Sequence, residues 1–456
     1  MQEIGRDVLR LKRKLAEGQM APLREILTDS DVKAACHAVG HRHRERIFTP
    51  LVTLWGFVGQ SLSADPSCRA AVARILAAYG RPTGVSGRTG PYCKARGRLP
   101  ERMIEELGRT MAQRRERRVA PEQLWLGRRV RLMDGTGVTT PDTPELVKAF
   151  GLPPNTKEGV GFPVAHVVGM VSWATGAVLG AAIDRLHYHE RHLGRELWPL
   201  LAPGDVLAAD AGFGSYGEIA MLKGQEVDGV YRMNGCRIVD FRRGERLGDG
   251  DHRVTWKRPA VRPGWLPKEF ELPETLVVRE IRFKVQERGF RAREIVLVTT
   301  LLDPVAYPKE EIAKLYRSRW EIEIDFRHIK TTMGMEMVRG QSPSMARKEI
   351  WAHLLAYNLI RTLMWEAAKR HGAAPLRISF KGSIQSVLAW SGTMASAPAH
   401  QLPELYRDLL ARIAADIVPF RPGRVEPRCV KRRRKHYPTL GVPRPVARQR
   451  LLAMAS

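Results

Sequence analysis

Apolar residues recur at helical spacing through the first 120 positions, in VLRLKRKLAE, TPLVTLWGFVGQSL and CRAAVARILAAYG, and predict a small helical module. From Gly127 the runs shorten and turn β-rich. RRVRLMD, FPVAHVVGMVSW and AVLGAAIDRL predict three neighbouring strands, the last two a hairpin turning at Ala174-Thr175-Gly176. A helix-like ERHLGRELWPLLAPG closes at Gly204, and the apolar run of DVLAADAGFGSY ends as a strand at Asp210. A helix from Tyr216 to Lys223 then leads to the strand GVYRM. The order β-β-β-α-β-α-β predicts an α/β fold, a mixed sheet flanked by helices.

Beyond Gly235, Gly, Pro and Arg punctuate a stretch with Trp256 and Trp265, followed by the alternating runs LVVREIRFKV and REIVLVTTL. It reads as a β-rich insertion. MARKEIWAHLLAYNLIRTLMWEAAKR predicts a long amphipathic helix and Leu402 to Ile413 another, before a basic, Pro-punctuated tail with too few apolar residues to fold alone. These changes of texture place a helical module at residues 1–120, a core in two parts at 121–234 and 293–372, the insertion at 235–292 and a helical, basic region at 373–456.

Charge narrows the class. Lys and Arg number 75 against 48 Asp and Glu, a formal +27 that calls for a polyanionic partner, nucleic acid first. Basic clusters HRHRER, GRTGPYCKARGRLPER and RRERR sit near helix ends or connections, where they suit phosphate contacts, although a solvated basic surface has the same composition. No basic amphipathic helix carries the bulky apolar face that would anchor it to a membrane. Five scattered cysteines without CxxC spacing suggest free thiols in a reducing cytoplasm, and the N-terminus lacks the apolar core of a signal peptide. His187, His189 and His192 invite a metal reading, yet no Cys or further His lies at ligand spacing.

The chemistry concentrates in YRSRWEIEIDFRHIK, Tyr316 to Lys330. At about 100° per residue, Arg319, Glu323 and Lys330 fall within roughly 60° of Tyr316, a stripe of one phenol, two cations and one carboxylate. Leu315, Ile322, Phe326, Ile329 and Met333 form the apolar seam beside it, and Glu321 and Asp325 point away. A solvated ion-pair helix would show similar spacing. Asp134 and Asp210 end, or nearly end, two predicted strands, where open α/β sheets place their sites; an Asp before Gly is also a common turn residue. Together Asp134, Asp210 and Glu323 are hard oxygen donors able to hold two Mg²⁺ or Mn²⁺ ions, and two strand acids plus a helix acid fit a ribonuclease-H-like layout.

With these residues in place, the sequence resembles the bacterial insertion-sequence transposases of the DDE class, the fourth insertion-sequence family with its Y-x2-R-x3-E-x6-K signature. Tyr316, Arg319, Glu323 and Lys330 match that signature at every spacing, with Asp134 in DGTGVTTPDTPE, Asp210 in DAGFGSY and EIWAHLLAYNLIR following the helix acid. The resemblance runs from RERIFTPLVTLWGFVGQSLSADPSCR to the tail. It implies a ribonuclease-H-like catalytic core, two Mg²⁺ (or Mn²⁺) ions on the three acids, and phosphate contacts from Tyr316, Arg319 and Lys330. It further implies cutting of double-stranded DNA at terminal inverted repeats and joining of the 3′ ends to target DNA, by a homodimer in a synaptic complex. Family members that form a hairpin intermediate stack a flipped base on an aromatic of the insertion; Trp256 is the candidate, with Trp265 the alternative. A regulator that no longer cuts would have lost a carboxylate, and a simple metal-dependent nuclease would not need the helical module.

Overall fold

A computed structural model describes residues 20–43, 47–79, 87–157, 159–186, 189–285, 293–419 and 440–455. The helix expected in VLRLKRKLAE and nearly all of the basic tail lie outside the described residues.

The N-terminal module contains helices α1 (Asp29–Ala38), α2 (Pro50–Leu62), α3 (Cys68–Tyr79), α4 (Gly90–Arg98) and α5 (Glu101–Glu116). Helix α2 is started by Thr49, whose hydroxyl caps Val52 N, and by Pro50 in its first turn, and it is buried along nearly its whole length. Helix α5 joins the module to the remainder of the chain. Its Arg115 donates to the Thr175 carbonyl at 2.6 Å, and Glu116 pairs with Arg131, which also reaches Asp205 at 3.0 Å.

Nine strands form one sheet in the order β3-β2-β1-β4-β5-β9-β8-β7-β6. Strand β1 (Val130–Thr139) runs antiparallel to β2 (Val164–Ser172) and parallel to β4 (Val206–Ala209), and β4 runs parallel to β5 (Asp228–Arg232). Strand β3 (Val178–Arg185) closes the β2 hairpin, with Gly176 at φ 63° in the expected turn. Strand β4 reads VLAA and is buried at every position, as a parallel strand covered on both faces must be. Beyond β5, β6 (Glu245–Gly248), β7 (Asp251–Lys257), β8 (Thr275–Val285) and β9 (Arg293–Thr299) continue the same sheet, because β9 pairs antiparallel with both β5 and β8. The stretch read as an insertion thus hydrogen-bonds to the sheet as its antiparallel extension.

Helix α6 (Pro144–Phe150) follows β1, α7 (Glu190–Glu196) follows β3 and α8 (Tyr216–Gly224) follows β4. The signature stretch forms α9 (Lys309–Ser318), α10 (Trp320–Arg327) and one π turn over His328–Thr332. The long helix α11 (Pro343–His371) is buried along most of its length and packs against α5, α2 and α13 (Leu402–Ala415). Helix α12 (Phe380–Ser396), not anticipated from the sequence, packs on α11 and α13. No helix among the described residues is long and apolar enough to cross a membrane.

Candidate active site

The ladder between β1 and β4 pairs Val130 with Val206 and Met133 with Ala209, a constant offset of 76 (206 − 130). Asp134 and Asp210 are also 76 apart (210 − 134), one step past the last pair of that ladder; Asp210 follows the end of β4, whereas Asp134, expected at or near a strand end, lies inside β1, which its pairing with β2 carries on to Thr139. Each folds back on its own backbone: Asp134 Oδ1 accepts from Gly135 N at 2.9 Å, and Asp210 Oδ1 accepts from Ala211 N at 2.7 Å, starting a 3₁₀ turn.

Opposite Asp134 in β2 stands Gly169. A side chain there would come within 2.9 Å of Phe326 Cζ, so this glycine lets the ring of α10 settle on the strand beside the aspartate. Ile322, Phe326, Ile329 and Met333 are all buried, the seam expected from helical spacing. The acid helix is thereby held over β1. Arg319, only 6 % exposed, donates through Nη1 to Asp134 Oδ2 at 2.7 Å and through Nη2 to Glu323 Oε1 at 3.1 Å.

Burial raises Asp134 above the usual carboxylate range; Arg319 and the Gly135 N–H pull it back, while Glu190 and Glu323 add to the rise. Tyr316 is buried beneath the guanidinium, 5.6 Å from ring centre to Arg319 Cζ, and burial pushes its hydroxyl up to about 12. The charge of Asp210 reaches both Tyr316 and Arg319. A cleft of 280 Å³ opens beside these groups, lined by Asp134, Thr136, Glu323, Lys330 and Glu336. Asp134, Glu323 and Lys330 therefore share one cleft, Arg319 bridges the two acids, and Asp210 follows the end of β4.

The donor set suits a hard divalent cation, being carboxylate oxygens, half of Glu323 exposed to solvent. In this arrangement Arg319 fills the space between two of the acids, and among the described residues no three His, Cys, Asp or Glu side chains converge as a metal-ready group.

Two placements differ from expectation or were not anticipated. Asp325, expected to point away from the packed face, is buried and paired with Arg361 of α11, which also donates to the Tyr357 hydroxyl at 2.8 Å. Helix α10 is covered on two sides, and the Arg361 charge, with the Tyr357 hydroxyl and Arg115, makes the second side habitable for a carboxylate. Glu190, at the start of α7, lies against Gly135, where a Cβ would fall inside its carboxylate. Nothing in the local sequence marks it, because the approach depends on how the helix after β3 crosses back over β2 toward β1.

Trp256 lies elsewhere on the sheet, in β7. Its Nε1 donates to Glu280 Oε1 at 2.8 Å, the other oxygen of Glu280 meets His252 Nε2 at 2.8 Å, and Arg237 lies 3.7 Å over the indole. With Gly214, Tyr216 and Met233, Trp256 and Arg237 line an open cleft of 510 Å³. Trp265 instead packs edge-on to Trp198, at 6.0 Å between ring centres, with Arg195 over its face.

The family described as the transposase DDE domain matches residues 125–359, the span that holds both aspartates, the acid helix and the cleft. The transposase InsG of insertion sequence IS4 from Escherichia coli K12 is 30 % identical over 329 residues, covering 70 % of this chain and 71 % of that protein. The chain belongs to the DDE transposase family. This transposase also resembles that of the E. coli insertion sequence IS421, at 27 % identity over 51 % of this chain and 65 % of that protein. The piggyBac transposase synaptic complex with hairpin DNA aligns with a TM-score of 0.46 at 11 % identity, over 89 % of this chain and 87 % of that one. By its family match and its likeness to InsG, the transposase is an enzyme of the insertion-sequence DDE class.

Proposed function

We propose that this transposase binds the terminal inverted repeats of an insertion sequence, cleaves double-stranded DNA at their ends and joins the freed 3′ ends to target DNA. The observation that carries the reading is the adjacency of Asp134 and Asp210 on parallel strands, with Arg319 linking Asp134 to the helix acid Glu323. The strand order β3-β2-β1-β4-β5, with β2 alone antiparallel to both its neighbours, supports a ribonuclease-H-like core carrying these acids.

Asp134, Asp210 and Glu323 would hold two Mg²⁺ (or Mn²⁺) ions. Bound there, such ions supply activation of a water or 3′-hydroxyl and neutralisation of charge on the leaving oxygen. The protein's own groups place the DNA. Lys330 lines the cleft and Arg319 bridges two of its acids, so a phosphate entering beside Asp134 meets two cations, and the Tyr316 hydroxyl stays protonated as a donor at neutral pH. The basic clusters of the helical module and the tail would hold flanking phosphates, which fix register without reading bases. His41, Arg42 and Arg98 border one such concavity at the start of α2. Trp256 is the proposed platform for a flipped base, and a homodimer would pair two ends in a synaptic complex.

End cleavage and gel shift in Mg²⁺ test the reading. Asp134→Ala, Asp210→Ala and Glu323→Ala should each abolish cutting while terminal-repeat binding persists, because the basic surfaces remain. Glu321→Ala should be mild. Near-normal cutting by Glu323→Ala removes the helix acid from the site, and nicks without joined products reduce the activity to that of a nuclease.

A further inference from the structure

Glu190 is separated from the two aspartates in sequence, but it lies in space against the residue after Asp134 and near the turn after Asp210. Its Oε1 lies over Gly135, the residue after Asp134, and its Oε2 faces Gly212 in the turn that follows Asp210. The carboxylate therefore sits between Gly135, inside β1, and the turn that follows β4. His166, in β2 across from Gly137, approaches it with Nε2 at 3.8 Å from Oε1. The buried Nδ1 of that imidazole has no hydrogen-bond partner among the described residues, so the ring's only polar engagement on this side is with Glu190. Gly135 has a definite reason to lack a side chain: a Cβ there would meet Glu190 and come within 3.0 Å of His166 Nε2. A surface carboxylate at a helix start needs no such recess. This one is seated where the charge of Asp134 is felt, and it is about one-third exposed, open to a ligand.

We propose that Glu190 is a fourth carboxylate of the active site, adding an oxygen donor beside Asp134 and Asp210, and that His166 orients it. The inference rests on the two-metal reading of the other three acids. A fourth oxygen on the strand side complements Glu323, which approaches from the helix side. Groups that orient or supplement metal ligands typically change metal affinity by about 10- to 100-fold when removed.

The test is Mn²⁺ binding by the full-length protein, read as free Mn²⁺ by electron paramagnetic resonance, for wild type, Glu190→Gln, Glu190→Asp, Gly135→Ala and Asp134→Asn. Glu190→Gln should weaken Mn²⁺ binding about tenfold with unchanged terminal-repeat DNA binding and thermal midpoint. Glu190→Asp, which keeps the charge on a shorter arm, should recover part of that loss. Gly135→Ala should reproduce the Glu190→Gln defect by evicting the carboxylate. If Glu190→Gln binds Mn²⁺ as wild type does while Asp134→Asn is weakened, Glu190 is no ligand and the proposal is overturned. If Asp134→Asn is also unchanged, the two-metal reading fails with it.

Discussion

Arg319 Nη1 lies 2.7 Å from Asp134 Oδ2, across 185 residues of chain, and the same guanidinium holds Glu323. A cation that grips two acids of the site competes with any metal for them, and an entering phosphate offers it another partner. Arg319→Gln should therefore have opposite effects on two measurements. Mn²⁺ affinity without DNA should rise, by roughly tenfold for each 1.4 kcal/mol of repulsion removed, while end cleavage falls. Titration and cleavage on one preparation check this; weaker Mn²⁺ binding in the variant would show that Arg319 organises the acids instead of blocking them.

Asp325 and Arg361 form a buried pair on the far side of the same helix. Removing one partner of such a pair commonly costs about 3 to 5 kcal/mol, since the other charge is left without compensation. Arg361→Met should lower stability by that order, and Asp325→Asn combined with Arg361→Met should recover a substantial part. Denaturant unfolding of the two single variants and the double variant measures the coupling; additive losses would mean that the pair contributes nothing as a unit.

These two pairs mark what the sequence could and could not reveal. Asp134, Asp210 and Glu323 could be singled out because β-rich runs and helical spacing are local properties, but that Asp134 lies inside β1 and faces Asp210 across a parallel ladder is a long-range pairing the sequence does not display. The buried seam from Ile322 to Met333 was legible from the same helical spacing. Asp325 was misplaced because a helical wheel reports one packed face and cannot see that Arg361, 36 residues on, supplies a counter-charge on a second. Glu190 was missed because its relation to Gly135 arises from the pairing of β1, β2 and β3, and its neighbouring histidines drew attention to a different metal pattern. Strands β8 and β9 were visible as two alternating runs and β6 and β7 only as part of a β-rich stretch, but their union with β5 through β9 is a long-range pairing that alternation alone does not encode.

His328 opens the π turn after the acid helix and packs at a tilt against Phe380, 4.9 Å between ring centres. Burial first, then Arg361 and Arg327, hold its pKa down from 6.5 to about 4. The folded state thus prefers the neutral ring, and the unfolded chain binds the extra proton between those values. Stability from this group is present above pH 6.5 and is lost as pH falls toward 4. Thermal midpoints between pH 7.5 and 4.5 should drop less steeply in His328→Gln than in wild type; parallel curves would assign the acid sensitivity to other groups.

Trp256 combines a fixed edge with a removable cover. Glu280 anchors Nε1, His252 holds Glu280, and Arg237 lies across the indole face from a loop whose next residue, Ile238, is 95 % exposed. A flipped base could stack on that face only after Arg237 leaves it, and such stacking is worth about 1 to 3 kcal/mol per base. Trp256→Ala should slow hairpin formation, so nicked DNA accumulates while first-strand nicking continues. Because the tryptophan is also buried, truncation should cost about 3 to 5 kcal/mol of stability, and Trp256→Phe separates the two roles by retaining a ring for packing and stacking. Arg237→Ala should act in the other direction, uncovering the face and strengthening the quenching of a 2-aminopurine placed at the flipped position. Normal hairpin rates in a folded Trp256→Ala protein would exclude this indole as the platform, and unchanged quenching in Arg237→Ala would show that the guanidinium is no barrier to the base.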